Sequence, residues 1–167
     1  MTVLEGPTAE FVPPQHALDL IDSAEACSVL EIGIGGEANV AVWGGQMTAG
    51  AHARGLAGAI LDGGVRDVTE IRRDYGFPVY SRSVSPGTTL GRSKTLGANV
   101  AVTCGSIEVN AGDIIVADID GVVVVPRALA EEVFRLSQEI DMRELEQAKL
   151  IVQSRSLKEG LAKYGRI

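Results

Sequence analysis

Positive charge is scarce in this chain: 15 Lys and Arg stand against 22 Asp and Glu, a net charge of −7 with a pI near 4.8. No basic stripe is available to neutralise phosphates, so nucleic acid is not an expected partner. Cysteine is nearly absent. Cys27 and Cys104 lie apart in apolar stretches with no CxxC pair, which leaves neither a zinc knuckle nor a redox couple and predicts two buried thiols in a reducing cytoplasm. Histidine is limited to His16 and His52. Two are too few for a two-histidine metal site beside other duties, and both read as surface residues. No uncharged run reaches the roughly 18 residues that a membrane span needs. Met1-Thr2-Val3-Leu4-Glu5 lacks the basic start and apolar stretch of a secretory leader, so a cytoplasmic location away from membranes is expected.

What the chain does contain is 46% hydrophobic residues and 20 glycines in 167 positions. That length and apolar content suit one domain, 1–167, with a packed core. Short β-branched runs bounded by Gly or Pro alternate with helical patterns in the first half, a rhythm of α/β units. A strand is predicted near 9–12, stopped by Pro13-Pro14, then a helix over about 15–25. A buried strand follows over 28–34, a helix packed closely through small residues from Gly45 to about Arg54, and a second buried strand over 56–61 that ends at Asp62-Gly63-Gly64. Arg66 and Asp67 then fall on the turn into a helix over 68–75. The polar connection 85–94 is too long for a tight hairpin and reads as a surface loop near a site or an interface. Strands near 100–103, 107–109, 113–117 and 122–125 make the second half mostly β, so the fold class is mixed α/β, sheets flanked by helices. After Pro126, apolar Leu129, Val133, Leu136, Ile140 and Ala148 recur among Glu, Arg, Gln and Lys and predict one long amphipathic helix.

The stretch from Gly44 to Glu70 brings two strand ends and two helix starts together. Ligands of open α/β sheets sit where strand carboxyl ends meet helix N-termini. Free N–H groups near Gly45, Gln46 and Met47 suit a carboxylate, Arg66 offers a planar fork of donors, and Asp67 offers an oxygen ligand for a hard cation. Each feature also has a plain structural use. An Arg-Asp pair at a helix start can be a solvated cap, and glycines can serve close packing. Asp118 and Asp120 flank a turn, and Glu139, Asp141, Glu144 and Glu146 suit the wet face of the last helix.

At these residues the chain resembles the RraA-like family, which includes class II 4-hydroxy-4-methyl-2-oxoglutarate and 4-carboxy-4-hydroxy-2-oxoadipate aldolases as well as regulators of ribonuclease activity. The residues that carry the resemblance are Ala41-Val42-Trp43-Gly44-Gly45, a spacer of 20 residues, and Arg66-Asp67-Val68-Thr69-Glu70, the family's G-x20-R-D-x2-E/D pattern. Asp62-Gly63-Gly64, Gly76-Phe77-Pro78-Val79-Tyr80, Ser85-Pro86-Gly87, Gly112-Asp113 and 117–126 support it. The match starts in what reads as the family's first strand, so the helix that commonly precedes it is expected to be absent.

The resemblance implies a swivelling β/β/α domain, assembled as a homotrimer or homohexamer with sites between subunits. It implies a divalent cation, Mg2+ or Mn2+ or another, and a small 2-keto acid substrate. Carried onto this chain, Asp67 holds the metal, Arg66 contacts the keto oxygen, the amides of Gln46 and Met47 beside Gly45 bind the carboxylate, and Glu70 closes the catalytic motif. A further metal-site acid comes in the family from a neighbouring subunit's last helix, where Glu144 is the match, with Glu139 and Glu146 close by. One departure stands out: aldolases of the family carry an acid where this chain has Gly45. Decarboxylation of oxaloacetate needs no base for a substrate hydroxyl and tolerates that change better than retro-aldol cleavage. The expected function is a metal-dependent lyase that releases pyruvate by either reaction. A non-catalytic regulator of a ribonuclease is the alternative.

Overall fold

The computed structural model describes residues 1–165. Its first element is a strand, β1, over Thr2–Pro7, not the strand expected near 9–12, which is irregular. The reason is Glu5, a charged residue that sequence patterning assigns to solvent but which is only 4% exposed here. Its Oε2 accepts the Ser93 hydroxyl at 2.6 Å, and its Oε1 has no hydrogen-bond partner among the described residues. Burial pushes the Glu5 carboxyl above its ordinary 4.5, and the Ser93 bond only partly opposes this. A native pKa above the unfolded one favours the fold while the group is protonated, so that contribution is complete below about pH 4.5 and is lost as pH rises through the native value. Glu5→Gln is therefore expected to raise stability by about 1 kcal/mol at pH 7, with the gain gone at pH 4. Urea unfolding at the two pH values checks this.

After helix α1 (Gln15–Ser23), strands β2 (Val29–Gly33) and β3 (Ala41–Trp43) lead into helix α2 (Gly45–Ala53) and strand β4 (Gly58–Val65). β4 is buried at every residue, as expected of a strand with neighbours on both edges and layers on both faces. β2 runs parallel to it from Val29 opposite Gly58 to Ile32 opposite Leu61, and β3 then takes over the same partner, with Ala41 opposite Gly64 and Trp43 opposite Val65. The handover requires glycine: a Cβ on Gly63 would lie 2.8 Å from Ile34 Cγ2, and one on Gly64 would lie 3.0 Å from the Val40 carbonyl oxygen. Asp62-Gly63-Gly64, expected to end the strand, therefore continues it. Asp62 tolerates burial there because its Oδ1 accepts Arg82 Nε at 2.6 Å and the Gly105 N–H at 3.0 Å.

The segment Val68–Glu70 forms a short helix, α3, that runs on as a single π-helical stretch, Ile71–Tyr75. Strands β5 (Val79–Val84) and β6 (Ser93–Ala98) complete a six-stranded sheet in which β5 pairs with β4 and β6 runs antiparallel to β1. Hairpin β7–β8 (Val102–Cys104, Ile107–Val109) follows, and β9 (Ile114–Ala117) with β10 (Val122–Val125) makes a second. The turn between β9 and β10 carries Asp118 and Asp120, and the Asp120 N–H donates to Asp118 Oδ1 at 2.8 Å, so these acids serve the turn. The core packs Val3, Leu30, Ile32, Leu61, Val42 and Trp43 between sheet and helices, and the Trp43 indole stacks on Phe77 at 6.1 Å.

Two compact units result, Met1–Val124 and a helical one from Val125 onward. The second holds α4 (Ala130–Ser154) and α5 (Leu157–Tyr164), the latter capped by Ser156 Oγ, which accepts the Glu159 N–H. α4 is the long amphipathic helix expected after Pro126; the αL conformation of Arg155 (φ 54°) ends it, and α5 follows. No helix among the described residues is long and apolar enough to cross a membrane.

Candidate functional site

β3 ends at Trp43, deep in the core, and the chain turns at once into α2. Trp43 Nε1 donates to Thr48 Oγ1 at 2.8 Å, and that hydroxyl donates to the Gly44 carbonyl at 3.0 Å. These bonds fix the first turn of α2 against the strand that precedes it. The Thr48 N–H is the first to find an intrahelical carbonyl, that of Gly44. The N–H groups of Gln46 and Met47 precede it and have no such partner within the helix, which leaves two donors at its positive end.

β4 delivers Arg66 and Asp67 to the same place. Asp67 adopts the left-handed conformation (φ 60°, ψ 29°), strained for most residues and tolerated best by Asp and Asn. That conformation aims its carboxylate back at α2, where Oδ2 accepts the Gly45 N–H at 3.0 Å. Arg66 Nε lies 3.7 Å from the same oxygen, with both side chains exposed, so their ion pair is weak. Glu70, one turn later, lays its carboxylate over Gly45. A Cβ there would lie 2.6 Å from Glu70 Oε1 and 2.8 Å from Cδ. The space that a side chain on residue 45 would fill is thus occupied by the acid of residue 70.

Gly44, Gln46, Met47 and Arg66 line a cleft of about 280 Å3, together with Pro13, Pro14 and Leu18 and with Thr88, Thr89 and Leu90. The expected residues Gly45, Gln46, Met47, Arg66, Asp67 and Glu70 are brought together, with Asp67 and Glu70 at the helix start beside the cleft wall. Sequence reasoning did not single out Pro13, Pro14, Leu18, Thr88, Thr89 or Leu90. The polar 85–94 loop was the one signal for the threonines, and it does border the site. Larger cavities of about 690 Å3 near Gly35, Gly36 and Arg92 and about 610 Å3 near Glu31 and Asp113 hold no such gathering of helix amides, guanidinium and carboxylates.

Glu144 lies exposed on α4 of the helical unit, and Glu139 and Glu146 pair there with Arg135 and Lys149 of the same helix. Cys27 is exposed rather than buried, at a positive-φ turn after α1. Cys104 is half-buried, its thiol pushed up to about 12 chiefly by burial and then by Glu31, which makes it a poor nucleophile. His16 is half-buried against Thr95 Oγ1, while His52 is exposed as expected.

The family model described as RraA-like, Aldolase/RraA, matches residues 4–124. The chain belongs to the RraA-like family. Relatives of this RraA-like chain include the "Uncharacterized protein MJ0644" of Methanocaldococcus jannaschii, 35% identical over 75% of this chain and 60% of that one. A protein of Halalkalibacterium halodurans named "Putative 4-hydroxy-4-methyl-2-oxoglutarate aldolase" is 34% identical over 64% of this chain and 50% of its own length. The chain thus spans half to three fifths of these curated relatives. Among solved structures, Streptomyces coelicolor RraAS2, described as "an unusual member of the RNase ES inhibitor RraA protein family", superposes with a TM-score of 0.77 at 26% identity, over 93% of this chain and 75% of that one. The mixed α/β RraA fold is therefore the fold of this chain.

No group of three or more His, Cys, Asp and Glu side chains among the described residues forms a ready-made metal cage. The RraA-like chain offers instead two carboxylates, Asp67 and Glu70, at one helix start. One or two carboxylates with the remaining positions left to water and substrate is the donor set that suits Mg2+, so the residues present fit such an ion.

Proposed function

We propose that this chain is a lyase that releases pyruvate from small 2-oxo acids through the pyruvate enolate, with a divalent cation held by Asp67 and assisted by Glu70. The observation that carries this reading is the meeting of Gln46, Met47 and the Arg66 guanidinium on one cleft, with the Asp67 carboxylate beside its wall, bonded to the Gly45 N–H. The amides bind the substrate carboxylate at the positive end of α2. Arg66 turns its guanidinium to the 2-oxo oxygen, where charge grows as the bond breaks. Such a preorganised donor contributes about 3 kcal/mol to lowering the barrier. The cation, when bound, polarises that same oxygen. Glu70 accepts the proton of a 4-hydroxyl at its carboxylate, the part an acid on residue 45 would otherwise play. In the same reading the chain works as a homotrimer or homohexamer, with Glu144 of one subunit serving the site of the next.

Pyruvate release from oxaloacetate is expected to fall at least about 100-fold when Mg2+ is removed with a chelator, and to return with Mg2+ or Mn2+. A rate indifferent to the chelator would defeat the proposal. The second reading, a regulator that docks on a ribonuclease, is supported by the likeness to RraAS2. It predicts inhibition of such a nuclease by the chain and no cation-dependent pyruvate release.

A further inference from the structure

The first turn of α2 is fixed without using the donors that the lyase reading assigns to the substrate. A helix start is commonly secured by a Ser, Thr, Asp or Asn whose side chain accepts the N–H of the second or third helical residue. Here the capping residue is Gly44, which has no side chain to offer, and the second and third residues are Gln46 and Met47. A side-chain cap would occupy one of those two amides, and Gly44 leaves both. The first amide, that of Gly45, goes to Asp67 at 3.0 Å.

A glycine cap alone holds the chain loosely, since glycine adopts more backbone conformations than any other residue. Trp43 and Thr48 supply the missing restraint. They stand one residue before the cap and four after it, the two positions that carry a hydrophobic staple in many helices. In this chain the staple is polar. Trp43 Nε1 donates to Thr48 Oγ1 at 2.8 Å, and Thr48 Oγ1 donates to the Gly44 carbonyl at 3.0 Å. An indole N–H only donates and a carbonyl only accepts, so the hydroxyl proton has one direction to point. Trp43 is 1% exposed and Thr48 0%, so water does not compete for either bond. The Trp43 carbonyl meanwhile accepts the Arg66 N–H at 3.0 Å. One residue thus anchors both the helix start and the arginine that faces the cleft.

We infer that Trp43 and Thr48 are positioning residues, whose bonds hold the Gly44–Gly45 peptide so that the Gln46 and Met47 N–H groups converge on a carboxylate. This deepens the lyase reading and rests on it for the place of the substrate carboxylate. Both residues are buried within one chain, out of reach of the neighbouring subunit that completes the site in that reading.

Thr48→Val keeps the shape and removes the hydroxyl, whereas Thr48→Ser keeps the hydroxyl and removes a methyl group. Both lower the melting temperature, because both disturb a buried site. Pyruvate binding, measured by calorimetry with Mg2+ present, separates them. The valine variant is expected to bind about 10-fold more weakly, and the serine variant within about 3-fold of the unaltered chain. With oxaloacetate the valine variant is expected to raise KM about 10-fold and to change kcat by less than about 3-fold, since the carboxylate contacts are alike in ground and transition states. Trp43 is also the only tryptophan in the chain. Its emission is expected to shift when pyruvate fills the helix start of the unaltered protein, a readout that stands even where the valine variant does not fold. Equal pyruvate binding by the two variants overturns the inference, as does binding that leaves the Trp43 emission unmoved; pyruvate release from oxaloacetate then keeps the lyase reading intact. Weaker binding by the valine variant alone, without any pyruvate release by the unaltered chain, upholds the positioning role and defeats the lyase reading. Failure of the unaltered chain to bind pyruvate defeats both.

Discussion

Asp67→Asn lowers pyruvate release from oxaloacetate by about 100- to 1,000-fold while the fold stays intact. The choice of asparagine matters because Asp67 sits at φ 60°. Asn tolerates that conformation nearly as well as Asp, whereas most side chains are strained there. Its side-chain oxygen also keeps the Gly45 N–H satisfied, so the start of α2 is retained. What changes is the charge. A neutral amide is a far weaker ligand for a hard cation, and Arg66 loses the anion 3.7 Å from its Nε. Removing one partner of a charge-stabilising site typically costs about 2.7–4 kcal/mol in the barrier, which is the source of the stated range. Steady-state kinetics with saturating Mg2+, alongside a thermal melt, measures both halves. A variant as active as the parent would remove Asp67 from the chemistry.

Gly44→Ala gives the second large effect, and by geometry rather than charge. A Cβ on Gly44 would lie 2.8 Å from Asp67 Oδ2, 2.9 Å from Arg66 Nε and 3.0 Å from Arg66 Cγ. All three are atoms of exposed side chains that can swing aside, and the backbone of Gly44 is extended (φ −161°), a conformation any residue adopts. Stability should therefore fall by only about 1 kcal/mol, the cost of the Asp67–Gly45 cap bond that the shift weakens. Activity should not survive so well, because the new methyl group displaces the guanidinium and the carboxylate together. A displacement of about 1 Å in a positioning contact costs on the order of 100-fold. The expected result is a cooperative melting curve shifted by only a few degrees, with kcat/KM down about 100-fold. Loss of fold and function in parallel would instead make Gly44 a packing glycine only.

Much of the site was legible because its residues are close in sequence and chemically distinctive. The Gly44-Gly45 start of α2 and the Arg66-Asp67 turn lie at the carboxyl ends of two strands that pair side by side. Patterning placed the second of these strands, though it ended it at Leu61 instead of Val65, and gave no bounds for the three-residue β3; the spacing placed the residues. The plain reading of the Arg-Asp pair as a cap was also partly right, since Asp67 does accept the Gly45 N–H. What patterning missed is what depends on distant partners. β1 was displaced because Glu5 is buried through Ser93, 88 positions away. Asp62-Gly63-Gly64 looked like a turn because nothing local shows that Arg82 and Gly105 would satisfy Asp62 inside a strand. The cleft walls gather Pro13, Leu18, Thr88 and Leu90 from two segments far apart in sequence, and none carries a chemical signature alone. Cys27, expected in the core, is exposed because it occupies a positive-φ turn before β2.

In the lyase reading Asp67, next to Arg66, forms a cation site that an oxo-acid completes. Calorimetric titration of Mn2+ with and without oxalate, a planar mimic of the pyruvate enolate, addresses it without relying on turnover. One Mn2+ per chain is expected, bound at least about 10-fold more tightly when oxalate is present, with that enhancement abolished in Asp67→Asn. Mn2+ binding that ignores both oxalate and the substitution would contradict it.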